Sequence, residues 1–86
     1  MDNIQNRLTN CFSTVFPGLP ENEIPQSTQF TISQWDSVAV ITLANVIEEE
    51  FGFPVDFDRL PEFDSFEHVL NYVRESVQGQ AYEAAD

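Results

Sequence analysis

Along the chain, apolar positions first recur at helical spacing near the N-terminus. At about 100° per residue, Ile4, Leu8, Cys11, Phe12, Val15 and Phe16 share one face. Asn6, Thr9, Asn10 and Ser13 fall opposite. Pro17-Gly18 stops this predicted helix, since proline lacks the amide the next turn needs. Residues 17–36 contain Pro17, Gly18, Pro20 and Pro25 and show no period, which predicts a long loop. Leu19, Ile24, Phe30 and Ile32 give it apolar anchors, so it is expected to lie down over the helices.

The stretch SQWDSVAVITLANVIEEEFGF, residues 33–53, predicts a second helix that is apolar nearly all round. Val40, Leu43, Ala44, Ile47 and Phe51 form its broad inner face, flanked by Ala39 and Val46. Thr42, Asn45, Glu48 and Glu49 lie on the outer arc, and so do Val38 and Ile41. Two aliphatics together on a polar arc, rimmed by carboxylates, suggest a docking patch rather than incidental exposure.

A last helix is predicted over about 65–77, with Phe66, Val69, Leu70, Val73 and Val77 on one face. Asp64 is its expected N-cap, and Glu67 three residues later completes a capping box. Between these helices, FPVDFDRLPEFD leaves room for about one helical turn, with Pro61 suited to its first position. The tail QGQAYEAAD has few anchors. The pattern predicts an all-α fold, a small four-helix bundle of three longer helices and one short third helix. Residues 1–77 form the domain and 78–86 a flexible C-terminal tail.

A length of 86 residues means one domain. Charge changes the picture more. Fifteen Asp and Glu face three Arg, with no Lys, for a formal charge of −12 at pH 7. Nucleic acid and anionic membranes need cationic contacts and are poor partners. Basic protein surfaces are good ones, and the charge favours a monomer. Cys11 is the single cysteine, which excludes an internal disulfide and points to a reducing compartment. No apolar run has signal-peptide or membrane-spanning character, so a cytoplasmic protein is expected. Cys11 lies on an apolar stripe and reads as a small core residue.

The second helix opens on Asp36-Ser37, and two roles are open for the pair. One residue caps the helix. Alternatively, Ser37 is a modified hydroxyl, held at an exposed corner where free N–H groups and the helix dipole favour an attached phosphodiester.

The segment WDSVAVITLANVIEEEFGF resembles the prosthetic-group segment of acyl carrier proteins. That family has an Asp-Ser-Leu core opening its second helix, which ends in a Glu-rich turn followed by Phe-Gly. Here these elements read Asp36-Ser37-Val38 and Glu48-Glu49-Glu50-Phe51-Gly52-Phe53. The order of helices and the long loop fit as well, so the resemblance covers roughly residues 1–77.

The resemblance implies that Ser37, preceded by Asp36, carries 4′-phosphopantetheine donated by coenzyme A. It implies a phosphopantetheinyl transferase as partner, and enzymes with basic docking surfaces that load and transfer acyl or aminoacyl groups held as thioesters. Val38, Ile41, Asn45, Glu48 and Glu49 are the expected docking residues. Phe12, Phe16, Leu43, Ile47 and Phe51 are candidate lining residues for a carried acyl chain, unless they form a solid core. Two departures stand out. Val38 replaces the usual Leu, and VAVITLAN lacks mid-helix carboxylates, which favours a specialised pathway over general fatty-acid synthesis.

An unmodified acidic interaction module is the alternative function. An enzyme is not expected. Ser37 lies in no Gly-x-Ser-x-Gly elbow, and His68, the one histidine, falls opposite the apolar stripe of its helix. No metal site is expected either, because Asp56 and Asp58 lack the glycine and closing Glu of a calcium loop.

Overall fold

A computed structural model describes the backbone of residues 3–85 and the side chains of residues 3–78. The described residues form three α-helices and two 3₁₀ helices, with no strand among them. The α-helices are α1 (Asn3–Val15), α2 (Ser37–Phe51) and α3 (Phe66–Ala85). The 3₁₀ helices span Glu21–Gln26 and Phe57–Glu62. The all-α expectation therefore holds, but not the simple four-helix form. The expected short third helix is a 3₁₀ helix, and the expected structureless loop contains another.

In α1, Leu8, Cys11 and Phe12 are buried as the stripe predicts, and Phe16 just past its end is buried too. Thr9 departs from expectation and is also buried. Its hydroxyl donates to the Gln5 carbonyl at 2.8 Å, which satisfies the group without water. In α2, Leu43, Ala44 and Ile47 are completely buried. Phe66, Val69, Leu70 and Val73 of α3 complete the core. Tyr72 widens the α3 stripe: its ring packs edge-on against Phe63 at 5.2 Å, and its hydroxyl accepts the Asp56 N–H at 2.9 Å. The backbone of α3 runs on to Ala85, past the Val77 end of the apolar stripe.

Helix α1 runs antiparallel to α2, and each end of the pair has its own clamp. At one end, Arg7 Nε donates to Glu50 Oε2 at 2.7 Å and Arg7 Nη2 donates to the Glu50 carbonyl. The guanidinium also lies 4.5 Å from the Phe51 ring centroid. A cation is well placed there, against the negative end of the α2 dipole. Both ion-pair side chains are substantially exposed, so the pair itself is worth about 0–1 kcal/mol. At the other end, Phe16 stacks on Trp35 with centroids 5.5 Å apart, and Phe12 meets Trp35 edge-on at 5.4 Å and Phe66 at 4.9 Å. Such pairs contribute about 0.5–1.5 kcal/mol each beyond their burial.

The helix ends are set by capping chemistry. Gly52 closes α2 in the left-handed conformation at φ 78°, and its N–H donates to the Glu48 carbonyl at 2.9 Å. A Cβ at Gly52 would meet nothing within 4 Å, so a side chain there is opposed by backbone strain alone. Gly52→Ala should destabilise the protein by about 1 kcal/mol, read as a lower urea midpoint with an unchanged slope. At α3 the cap is Ser65 rather than Asp64. Ser65 Oγ accepts the His68 N–H at 3.1 Å, while Asp64 Oδ1 pairs with His68 Nδ1. Pro61 falls near the end of the second 3₁₀ helix rather than at its first position, which is prepared instead by Asp56 accepting the Asp58 N–H at 3.0 Å.

The loop from α1 to α2 is pinned at several points. Ile24 is fully buried, and Leu19 and Ile32 are half-buried against the core. The Gln29 N–H donates to the Asp64 carbonyl at 2.9 Å and the Phe66 N–H to the Ser27 carbonyl at 3.0 Å, tying loop to α3. Phe30, expected as an anchor, is 88% exposed instead.

Candidate functional site

The candidate site is the N-terminus of α2, and Trp35 fixes its position. Its indole is buried against Phe12 and Phe16, and its Nε1–H donates to the Phe63 carbonyl at 3.0 Å. One residue on, Asp36 adopts an extended conformation, and its Oδ1 accepts the Ala39 N–H at 2.9 Å. The Asp36 carbonyl accepts the Val40 N–H at 3.0 Å. Asp36 is thus the cap and Ser37 the first helical residue.

Ser37 is exposed. Among the described residues no protein group engages its hydroxyl or the amides of Ser37 and Val38. The corner offers a free nucleophilic oxygen, two free donors and the positive end of a helix dipole. The chain's one histidine, His68 on α3, is bonded to Asp64 just ahead of that helix.

Beside Ser37 lies an open groove of about 450 Å³. Trp35, Asp36, Val40 and Ile41 line it from the α2 side, Leu60, Pro61 and Phe63 from the second 3₁₀ helix and its end, and Gln29 from the loop. Of these, Gln29, Trp35, Val40, Leu60, Pro61 and Phe63 carried no functional signal in the sequence. The nearest hint was the position of Trp35 directly before the Asp-Ser pair.

The outer arc of α2 is placed as its periodicity predicts. Val38 is 70% exposed and Ile41 44% exposed, with Asn45 and Glu49 exposed further along the helix. Glu48 is different. Its Oε2 accepts the Val55 N–H at 2.8 Å, so this half-buried carboxylate closes the turn after Gly52.

The acyl-lining candidates do not gather at the groove. Phe12, Leu43 and Ile47 are completely buried in the packed core. Phe16 lines a separate surface depression with Leu19 and Ile32, and Phe51 sits under Arg7 at the far end of α2.

Cys11 is buried in the core, and burial pushes its thiol up to about 11, with the nearby Glu50 carboxylate adding to the rise. It therefore stays protonated at neutral pH and is a poor nucleophile. Among the described residues no group of three or more His, Cys, Asp and Glu side chains could hold a metal ion. No helix of the described residues is long and apolar enough to cross a membrane.

No curated protein and no solved structure matches this chain. Residues 6–73 match the family profile described as the phosphopantetheine attachment site, spanning both the Asp36-Ser37 corner and the helices that frame it. The chain belongs to this phosphopantetheine-attachment family, whose members carry 4′-phosphopantetheine covalently.

Proposed function

We propose that the protein is an acyl or aminoacyl carrier whose 4′-phosphopantetheine is attached to Ser37. The observation that carries this reading is the free, exposed Ser37 hydroxyl on the first turn of α2, inside the family match. The residues around it fit the group. The amides of Ser37 and Val38 carry no hydrogen bond to another described residue and are available to a phosphodiester, and the apolar walls of the groove suit a slender, mostly uncharged arm. When bound, the arm supplies the thiol that holds cargo as a thioester.

The chain's own residues do the positioning. Asp36 holds the first turn of α2 in register and Trp35 holds Asp36 against the core. Val38 and Ile41, with Asn45 and Glu49 beside them, receive partner enzymes with basic docking surfaces. Glu48, expected as a docking acid, serves mainly to close the turn at Val55. The partners are a phosphopantetheinyl transferase and the enzymes that load and unload cargo. The carrier itself performs no catalysis. It works as a cytoplasmic monomer, with residues 1–77 as the functional unit. The absence of carboxylates from residues 38–45 supports a specialised pathway.

The test is intact-protein mass after incubation with coenzyme A and the transferase of the same organism. A single added arm, mapped to Ser37, supports the carrier. No gain in mass would leave an unmodified interaction module as the better account.

Docking on α2 is open to a separate test. Val38→Asp and Ile41→Asp should each weaken binding to a cognate loading enzyme about tenfold. Stability should stay within about 0.5 kcal/mol for Val38→Asp, whose side chain faces solvent, and fall by about 1 kcal/mol for Ile41→Asp, which is partly covered at the groove wall. Titration calorimetry with the loading enzyme and urea unfolding separate the two effects. Unfolding of either variant would place these side chains in the core.

A further inference from the structure

Four large apolar side chains are exposed among the described residues: Phe30, Val38, Ile41 and Phe57. Each lies on a segment that walls the Ser37 groove. Phe30 follows Gln29 on the loop wall, and Val38 and Ile41 belong to the first turns of α2. Phe57 is 50% exposed, one turn ahead of the groove-lining Leu60, and side chains three apart on a 3₁₀ helix share an edge. Ile41 lines the groove itself, and Phe30, Val38 and Phe57 each lie within a turn of a lining residue.

Phe30 stands out among the four. At 88% exposure it has almost no intramolecular packing, yet its backbone is firmly held. The Phe30 N–H donates to Thr28 Oγ1 at 3.1 Å, the Thr28 N–H donates to Thr31 Oγ1 at 2.9 Å, and the Thr31 N–H donates to the Thr28 carbonyl at 3.1 Å. The same turn is bonded to the segment just before α3, the Gln29 N–H donating to the Asp64 carbonyl. A large aromatic on a braced turn binds with little ordering cost, which is what an interface anchor requires.

Charge identifies the kind of partner. Between residues 28 and 62 the chain has seven acidic residues and a single cation, Arg59. That cation is occupied, donating to both Glu62 carboxylate oxygens at 2.7 and 2.9 Å. A second copy of this chain would bring another −12 to the contact and is disfavoured. A cationic protein surface is favoured.

Building on the carrier reading, we infer that Phe30 is a docking anchor for the transferase that modifies Ser37, inserting into an apolar socket beside that enzyme's cationic active-site rim. An enzyme that reaches the Ser37 hydroxyl must cover the groove beside it, and Phe30, next to the lining residue Gln29, is the most exposed large apolar side chain among the described residues. Recognition then spans the loop as well as α2.

The test measures steady-state loading of the full chain by that transferase, with coenzyme A as the donor, for wild type, Phe30→Ser and Phe30→Leu. Phe30→Ser should lower kcat/KM roughly 10- to 100-fold, with the loss in KM and kcat retained, because the anchor binds before and during reaction alike. Phe30→Leu should recover most of the loss. Thermal unfolding of Phe30→Ser should match wild type, since the ring touches almost nothing in the folded chain.

Wild-type kcat/KM for Phe30→Ser overturns the anchor and leaves the carrier reading intact. A drop in kcat alone, or a lowered unfolding midpoint, also overturns it, by assigning Phe30 to the local structure. If sedimentation shows a wild-type dimer that Phe30→Ser dissociates, the socket belongs to a second copy and the inference is wrong. If wild type is never loaded, the carrier reading fails and the anchor fails with it.

Discussion

Ser37→Ala should fold like wild type and accept nothing from coenzyme A, while wild type gains one arm and one reactive thiol. The effect is all-or-none because the substitution removes the only oxygen the modification can use at that corner. Little else should change. Asp36 supplies the cap through the Ala39 N–H, so Ser37 contributes no capping bond. Alanine is also a better helix former in a first turn, and stability should shift by no more than about 0.5 kcal/mol. The thiol count gives an independent readout. Cys11 is buried with its pKa pushed up to about 11, so an aromatic disulfide reagent at neutral pH should find no fast thiol before loading and one afterwards. An arm on the Ser37→Ala variant would move the attachment to another hydroxyl.

Trp35→Ala should cost about 3–5 kcal/mol, a large share of the roughly 5–15 kcal/mol that holds a domain together. The indole is only 6% exposed, stacks on Phe16 and meets Phe12 edge-on. Its loss opens a cavity between α1 and the start of α2 and leaves the Phe63 carbonyl without its donor. Trp35→Phe separates the two contributions. It keeps much of the ring contact and removes the N–H, so it should cost about 1–3 kcal/mol. Urea unfolding followed by far-UV circular dichroism gives both values. A loss under about 1 kcal/mol for Trp35→Ala would mean that the loop is held elsewhere.

These two expectations differ in how visible they were in the sequence. The phase of α2 was legible because Leu43, Ala44 and Ile47 recur at helical spacing, and the same periodicity left Val38 and Ile41 facing out. Phe30 was misread because a loop has no period. Its apolarity says nothing about direction, which is decided by the Thr28–Thr31 turn and the bond from Gln29 to Asp64. Glu48 looked like an ordinary outer-arc acid. Its role depends on Val55 returning within reach, a contact made only after the chain reverses at Gly52. At Asp64-Ser65 two good capping residues stand in a row, and local preference cannot rank them. The groove was hidden for a related reason, since its walls come from three segments that meet only in the folded chain.

The placement of Trp35 also has an optical consequence. It is the chain's only tryptophan, and it sits two residues before Ser37 as part of the groove wall. Indole emission responds to changes in packing and polarity around the ring. Light emitted by this protein under selective excitation therefore comes from one ring beside the Ser37 corner. Docking and loading can be followed there in real time, in an unlabelled molecule, against any partner that is itself free of tryptophan.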